Sequence, residues 1–346
     1  MIREVTITGY KALECVSVTL EPLTVIVGAN ASGKSSFLDA LALLANASRD
    51  QRQMKALVDA AGEGTVRTHG TEQLLEMVAL TDDGRLRLRV NENRGWANTF
   101  EPHDGALQDL TTWRTPPSTD EVGGVPPAMR LRLDLSVLMK PALLRLGYSE
   151  ILPNGEGLAA VLQSMQLAED GRFKQVSDSL ARVVPGIVGL RTTQENLRFN
   201  NQPDVHAVVE ARTRAGGWCR ATDLSEGTLV TLAILTSVHS KRSTSLLLVD
   251  DIDRGLHPRA QSKLIDCVRG VTKEDPTLQI ICTTHSPHLV NCFEPREVRM
   301  FSLNEVGHTV ALRLEDHPEW PQWKDTFASG EFWAAVGDEW VVEATG

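Results

Sequence analysis

The most constraining feature of this chain is a strand–loop–helix unit near its start, LTVIVGANASGKSSFLDALALLAN. Leu23–Val27 is short and almost wholly apolar, the pattern of a strand buried on both faces. Phe37, Leu38, Leu41, Leu43 and Leu44 then fall on one helical face. Between them, Gly28-Ala29-Asn30-Ala31-Ser32-Gly33-Lys34-Ser35 fits G-x-x-x-x-G-K-[ST]. Glycines at the two bends let backbone N–H groups turn inward around phosphate oxygens. The helix N-terminus adds its partial positive charge. In this reading Gly28, Asn30, Ser32, Gly33 and Ser36 line a cradle, and Lys34 meets the β- and γ-phosphates. The Ser35 hydroxyl is a Mg²⁺ ligand. The expectation is an α/β P-loop fold that binds ATP with Mg²⁺.

Three downstream segments extend this site. Ser245–Val249 is an apolar strand that ends in Asp250-Asp251. Such a strand delivers Asp250 to the metal and places Asp251 where it can orient an attacking water. About twenty residues earlier lies Leu224-Ser225-Glu226-Gly227-Thr228. A serine hydroxyl, a glycine backbone and a helix N-terminus together make a second anion site. One chain cannot easily fold that site onto its own P-loop, whereas a second copy can offer it across an interface. Finally, Leu278–Thr283 reads as a buried strand followed by Thr284 and His285. An imidazole there can reach and sense a γ-phosphate. The expected catalytic residues are therefore Lys34, Asp251 and His285, with Ser35 and Asp250 on the metal.

The series GANASGKSS, DLSEGT, SLLLVDDIDRGLHP and ICTTHSP resembles the ABC-class ATPase heads of the SMC, RecF and OLD type. The opening EVTITGYKALECVSVTLEPLTVIVGANASGKSSFLDAL looks like their shared N-terminus. The closest likeness is to compact bacterial ATPases without a Toprim domain or a long coiled coil. It covers roughly residues 1–46 and 150–300, with a weaker echo at Gly330-Glu331-Phe332-Trp333. The resemblance implies a RecA-like sheet with an antiparallel β subdomain. It also implies a head that dimerises around two ATP molecules, with Ser225 and Gly227 of one chain facing the other's γ-phosphate. Asp253–Leu256 would lie at the same interface. Relatives act in DNA repair, chromosome maintenance and antiphage defence, often with a nuclease or toxin as effector. Three departures stand out, one being Glu226, which stands where transporters have glycine, a substitution familiar in the OLD-like branch. The family usually has Glu where this chain has Asp251, and a displacement near 1 Å at such a position costs about a hundredfold in rate. The Q-loop is hard to place, with Gln73 as its candidate.

Rival readings differ in what they require. An OLD-type nuclease in one chain needs a Toprim domain, and only about sixty residues follow His285. A GTPase is suggested by Thr272-Lys273-Glu274-Asp275, but that segment lies between a helix and the start of a strand. A non-hydrolysing ATP-gated scaffold is motivated by Asp251. A transporter subunit is opposed by the 105–220 insert.

Domain boundaries are expected at 1–104 for the N-terminal part of the head, 105–215 for a mixed insert and 216–346 for the C-terminal part. The head sheet would come from residues 1–100 and 220–315, with helices of the insert near 156–184. Alternation over Met129–Val137 predicts a strand, and Leu197–Asn201 with Val205–Thr213 predicts a hairpin. The net charge of −10 repels a phosphate backbone on average, so nucleic acid stays open as a partner only through a local basic patch. The five cysteines have no CxxC pair, which reads as reduced thiols in the cytoplasm. No signal peptide and no run of about eighteen apolar residues is present, so a membrane is not an expected partner.

Overall fold

The computed structural model describes residues 1–47, 54–55, 75–91, 95–103, 105, 107–109, 127–148, 150–199, 202–240 and 244–345. The chain divides into two compact units. One comprises Met1–Arg130, Ser243–Ile252 and Pro276–Gly346, and the other Leu131–Arg242 with Asp253–Asp275. Among the described residues no helix is long and apolar enough to cross a membrane.

In the first unit a six-stranded sheet has the order Thr309–Arg313, Val298–Leu303, Leu23–Gly28, Gln279–Thr283, Leu246–Val249, Ala128–Leu131. Leu23–Gly28 is buried at every residue because parallel strands flank it on both sides. Its partners Leu246–Val249 and Gln279–Thr283 are likewise buried throughout, which explains their unbroken apolar runs. Register pairs Thr283 with Ile26 and Val249 with Cys282. The parallel strands therefore end on the same edge, where Gly28, Asp250 and Thr283 emerge together. Ligands of open α/β sheets bind at this carboxyl edge.

The second sheet of this unit is antiparallel, in the order Leu13–Thr19, Ile2–Tyr10, Leu75–Thr81, Gly84–Asn91, Gly95–Pro102, Gln108–Asp109. A turn at Asp82-Asp83 joins Leu75–Thr81 to Gly84–Asn91. The Thr81 hydroxyl there accepts from the backbone N–H groups of Asp83 (3.2 Å) and Gly84 (3.1 Å). Helix Lys34–Asn46 buries Phe37, Leu38 and Leu41 against Ile7, Leu13, Met77, Leu88 and Phe100 in one core. Each such side chain contributes about 1.5–3 kcal/mol through burial. The Phe37 ring also meets Phe301 edge-on at 5.4 Å.

Near the chain's end, His317 packs edge-on against Phe332 (5.0 Å) and Trp340 (4.6 Å). The Gly330-Glu331-Phe332-Trp333 segment lies within helix Ser329–Val336. The Asn291 side-chain oxygen accepts from the N–H groups of Gly330 (2.7 Å) and Glu331 (3.1 Å). A Cβ at Gly330 would sit 1.9 Å from the Pro287 carbonyl, so this close approach admits only glycine.

The second unit holds the hairpin Ile187–Phe199 and Gln202–Thr213, with Trp218–Arg220 and Ala142–Leu143 pairing to its second strand. The first strand begins well before the expected Leu197. Helix Glu226–His239 has 12 buried residues of its 14, so it forms the centre of the unit. Helices Arg172–Val183 and Pro258–Glu274 are amphipathic and bury Val176, Leu180, Leu264 and Val268. The strand expected over Met129–Val137 stops at Leu131. Asp134 instead accepts from the Ser136 N–H (2.8 Å) and caps a single turn, Leu135–Leu138. A local side-chain cap thus overrides the two-residue alternation.

Candidate nucleotide site

The P-loop joins Leu23–Gly28 to helix Lys34–Asn46, as the spacing requires. Gly28 has φ +140, and a Cβ there would lie 1.9 Å from the Phe301 carbonyl oxygen. Gly33 has φ +96, and a Cβ there would lie 2.2 Å from the Thr309 hydroxyl. Both positions need glycine for backbone conformation and for space. Thr309 in turn donates its hydroxyl to the Ser32 carbonyl (3.0 Å), which holds the loop closed. Ala31 adopts φ +64, so successive backbone conformations turn through the loop in the manner of an anion-binding nest.

Asn30, Ala31, Gly33, Lys34, Ser35, Ser36, Asp250, Asp251 and His285 line one cleft of about 440 Å³. Lys34 is buried and donates to the carbonyls of Gly28 (2.9 Å) and Ala29 (2.7 Å). Burial pulls its ammonium below the ordinary lysine value, although the charges of Asp251, Asp250 and Asp338 oppose that fall. The Ser35 hydroxyl donates to Asp250 Oδ1 at 3.2 Å. The same Oδ1 accepts from the Thr283 hydroxyl at 2.7 Å, and Asp250 Oδ2 accepts from Arg130 Nη2 at 2.7 Å. Burial alone would raise the Asp250 carboxyl. The hydrogen bonds from Thr283 and Arg130, the Arg130 charge and the Ser35 hydroxyl outweigh it and hold the group below the usual carboxylate range.

Asp251 follows with φ +48, a left-handed conformation rare for residues other than glycine but tolerated by Asp and Asn. Its backbone N–H donates to the Thr283 hydroxyl at 2.9 Å. One hydroxyl thus joins the Asp250 carboxylate to the Asp251 backbone. His285 is exposed on the cleft wall, two residues beyond Thr283.

These residues fit a magnesium nucleotide. Ser35 and Asp250 offer hard oxygen donors on one side of the cleft. The Ser32 hydroxyl is buried without a hydrogen-bond partner among the described residues, in a loop whose backbone has no room for side chains.

Leu224–Thr228 lies in the other unit. Ser225 is exposed and caps helix Glu226–His239, accepting from the Thr228 N–H (3.4 Å). Gly227 is buried against Gly255, whose carbonyl oxygen would be 2.3 Å from a Cβ at Gly227. Arg254 Nε donates to Glu226 at 2.6 Å. Gln73 lies outside the described residues. Thr272–Asp275 forms the end of helix Pro258–Glu274 and its cap, not the end of a strand where a base-reading motif belongs.

Four residues of the site region had no sequence signal of their own. Thr283 and Thr309 are single hydroxyls at strand positions. Arg130 sits in an alternating run that reads as ordinary strand. Asp338 accepts from the Ala29 N–H at 2.9 Å across 309 positions of sequence.

Two family models match the chain. One, described as an AAA ATPase domain, matches residues 1–93. The other, described as an AAA domain, putative AbiEii toxin, Type IV TA system, matches residues 144–291. Among solved structures, an Smc head bound to the C-winged helix domain of ScpA superposes with a TM-score of 0.61 at 17% identity, covering 91% of this chain and 98% of that one. An Smc head domain with an extended coiled coil from Pyrococcus furiosus also gives 0.61, at 15% identity, covering 94% and 99%. The SMC head domain from Thermotoga maritima gives 0.51 at 12% identity, covering 90% and 98%. The Septu protein PtuA of Bacillus thuringiensis is 38% identical over 69 residues, a stretch that spans 20% of this chain and 17% of that protein.

Proposed function

We propose, for a chain that is a P-loop ATPase of the SMC/ABC type, that two copies close around two ATP molecules and hydrolyse them to drive a separate effector. The observation that carries the reading is the cleft at the carboxyl edge of the parallel sheet. There Lys34, Ser35, Asp250, Asp251 and His285 converge.

Each side chain has a distinct task. Lys34 donates to β- and γ-phosphate oxygens, helped by inward-facing N–H groups of the loop. Ser35 and Asp250 would hold Mg²⁺, which neutralises phosphate charge when bound. Asp251 accepts a hydrogen bond from the attacking water and orients it toward phosphorus. His285 donates to the γ-phosphate and so distinguishes triphosphate from diphosphate. Ser225 of a second copy supplies the hydroxyl donor on the far side, whereas Gly227, expected to face the same phosphate, is buried against Gly255 of its own chain and shapes the turn instead. The exposure of Ser225 at a helix N-terminus supports this role.

The effector reading is antiphage defence, with a nuclease or toxin as partner. The stretch of likeness to the Septu protein supports it. Lys34→Ala is expected to abolish ATP-dependent dimerisation, measured by light scattering during size exclusion. Dimers that persist in that variant would contradict the proposal.

A second reading, slow or absent turnover in an ATP-gated scaffold, is favoured by one observation: Asp stands at 251, in a left-handed conformation. Single-turnover hydrolysis by Asp251→Asn separates the two readings. An unchanged rate would remove Asp251 from catalysis.

A further inference from the structure

Arg130 is a buried cation beside the cleft, with its side chain 7% exposed. Its Nη2 donates to Asp250 Oδ2 at 2.7 Å, and its Nη1 pairs with Asp39 Oδ1. Asp39 is held from its other oxygen by Lys11 Nζ at 3.0 Å. The guanidinium therefore bridges two carboxylates, and its buried Nε donates to nothing among the described residues. The two oxygens of Asp250 have separate duties. Oδ1 faces the hydroxyls of Ser35 and Thr283, and Oδ2 is taken by Arg130.

We propose that Arg130 is a positioning residue that fixes the Asp250 carboxylate so that only Oδ1 is presented to the metal side of the cleft. The proposal rests on the ATPase reading above. Two properties of Arg130 are involved, and they are separable. Its charge compensates Asp250 and so limits how strongly that carboxylate draws in a cation. Its planar fork reaches two carboxylates at once, which a lysine ammonium cannot reproduce. Fork and charge together keep Asp250 Oδ1 pointing at Ser35.

The test compares wild type, Arg130→Met and Arg130→Lys by Mn²⁺ titration of the protein–ATP complex followed by electron paramagnetic resonance, with single-turnover hydrolysis alongside. Arg130→Met removes the charge. It is expected to tighten Mn²⁺ binding at least about threefold while slowing hydrolysis at least about tenfold. Arg130→Lys keeps the charge and loses the fork. It is expected to leave Mn²⁺ affinity within about twofold of wild type while still slowing hydrolysis at least about tenfold. A purely structural role moves both readouts down together in both variants. Mn²⁺ affinity unchanged or weakened in Arg130→Met, or full turnover in Arg130→Lys, overturns the proposal. If Arg130→Met does not fold, Arg130→Lys and Asp39→Asn, which removes the second anchor of the fork, decide it by their turnover. A wild-type protein that binds no ATP would sink the ATPase reading itself, before any variant is compared.

Discussion

Replacing Thr283 by valine tests the geometry of the cleft with almost no change in side-chain volume. The Thr283 side chain is fully buried, and its hydroxyl donates to Asp250 Oδ1 (2.7 Å) and accepts from the Asp251 N–H (2.9 Å). The first bond goes to a charged group, and such bonds contribute about 1.5–3 kcal/mol. Losing it and leaving the Asp251 N–H unpaired is expected to cost about 2–4 kcal/mol in total. At about 2.1 cal/mol/K per residue, a chain of 346 residues that unfolds as one loses about 3–6 °C in Tm. The Asp251 backbone would also lose the contact that fixes its left-handed turn, so single-turnover hydrolysis should fall at least about tenfold. Thr283→Ser keeps the hydroxyl and should recover most of both losses.

The pH dependence has a definite sign. Asp250 titrates below its ordinary value of 3.8, in part through Thr283. A carboxyl depressed by folding contributes stability at pH above its unfolded value and loses it as pH falls toward the folded one. The stability gap between wild type and Thr283→Val should therefore be full at neutral pH and shrink below about pH 4. Thermal denaturation at several pH values, with rapid-quench hydrolysis, measures these quantities. A valine variant as stable and active as wild type, or a serine variant as impaired as valine, would refute the reasoning.

Two other substitutions probe the rim of the cleft. Asp251→Glu is expected to lower stability by about 1 kcal/mol without raising hydrolysis, because glutamate lacks aspartate's tolerance of φ near +48; calorimetry and a phosphate-release assay check both halves. Asp338→Asn keeps an acceptor for the Ala29 N–H but removes a charge that acts on Lys34. ATP affinity, read from a fluorescent analogue, should rise about three- to tenfold at low salt, with a smaller gain as salt is added.

Much of the site could be read from sequence because its constraints are local. The P-loop needs two glycines, a lysine and a hydroxyl in fixed order between a buried strand and a helix, and all of them are contiguous. Asp250 and His285 follow from apolar runs that are buried strands, and those runs are as short as a central parallel strand permits. Residues that act through the sheet's cross-chain adjacency could not be read this way. Arg130 meets Asp250 only because the strand Ala128–Leu131 takes the place beside Leu246–Val249. Thr283 reaches Asp250 because parallel register sets the ends of two strands side by side. Asp338 meets Ala29 through folding of the chain's far end. The strand expected past Leu131 failed for a different reason: MRLRLDLSV alternates, but Asp134 supplies a cap that alternation does not reveal.

The contact between Gly227 and Gly255 has a mechanical consequence. With backbone pressed on backbone at the two glycines, and Leu256 Cδ2 and the Arg254–Glu226 pair beside that contact, the LSEGT turn and the Asp253–Leu256 turn touch directly. A push on one is felt by the other as by the far side of a rigid plate. Any bulk added at either glycine would wedge the plate apart.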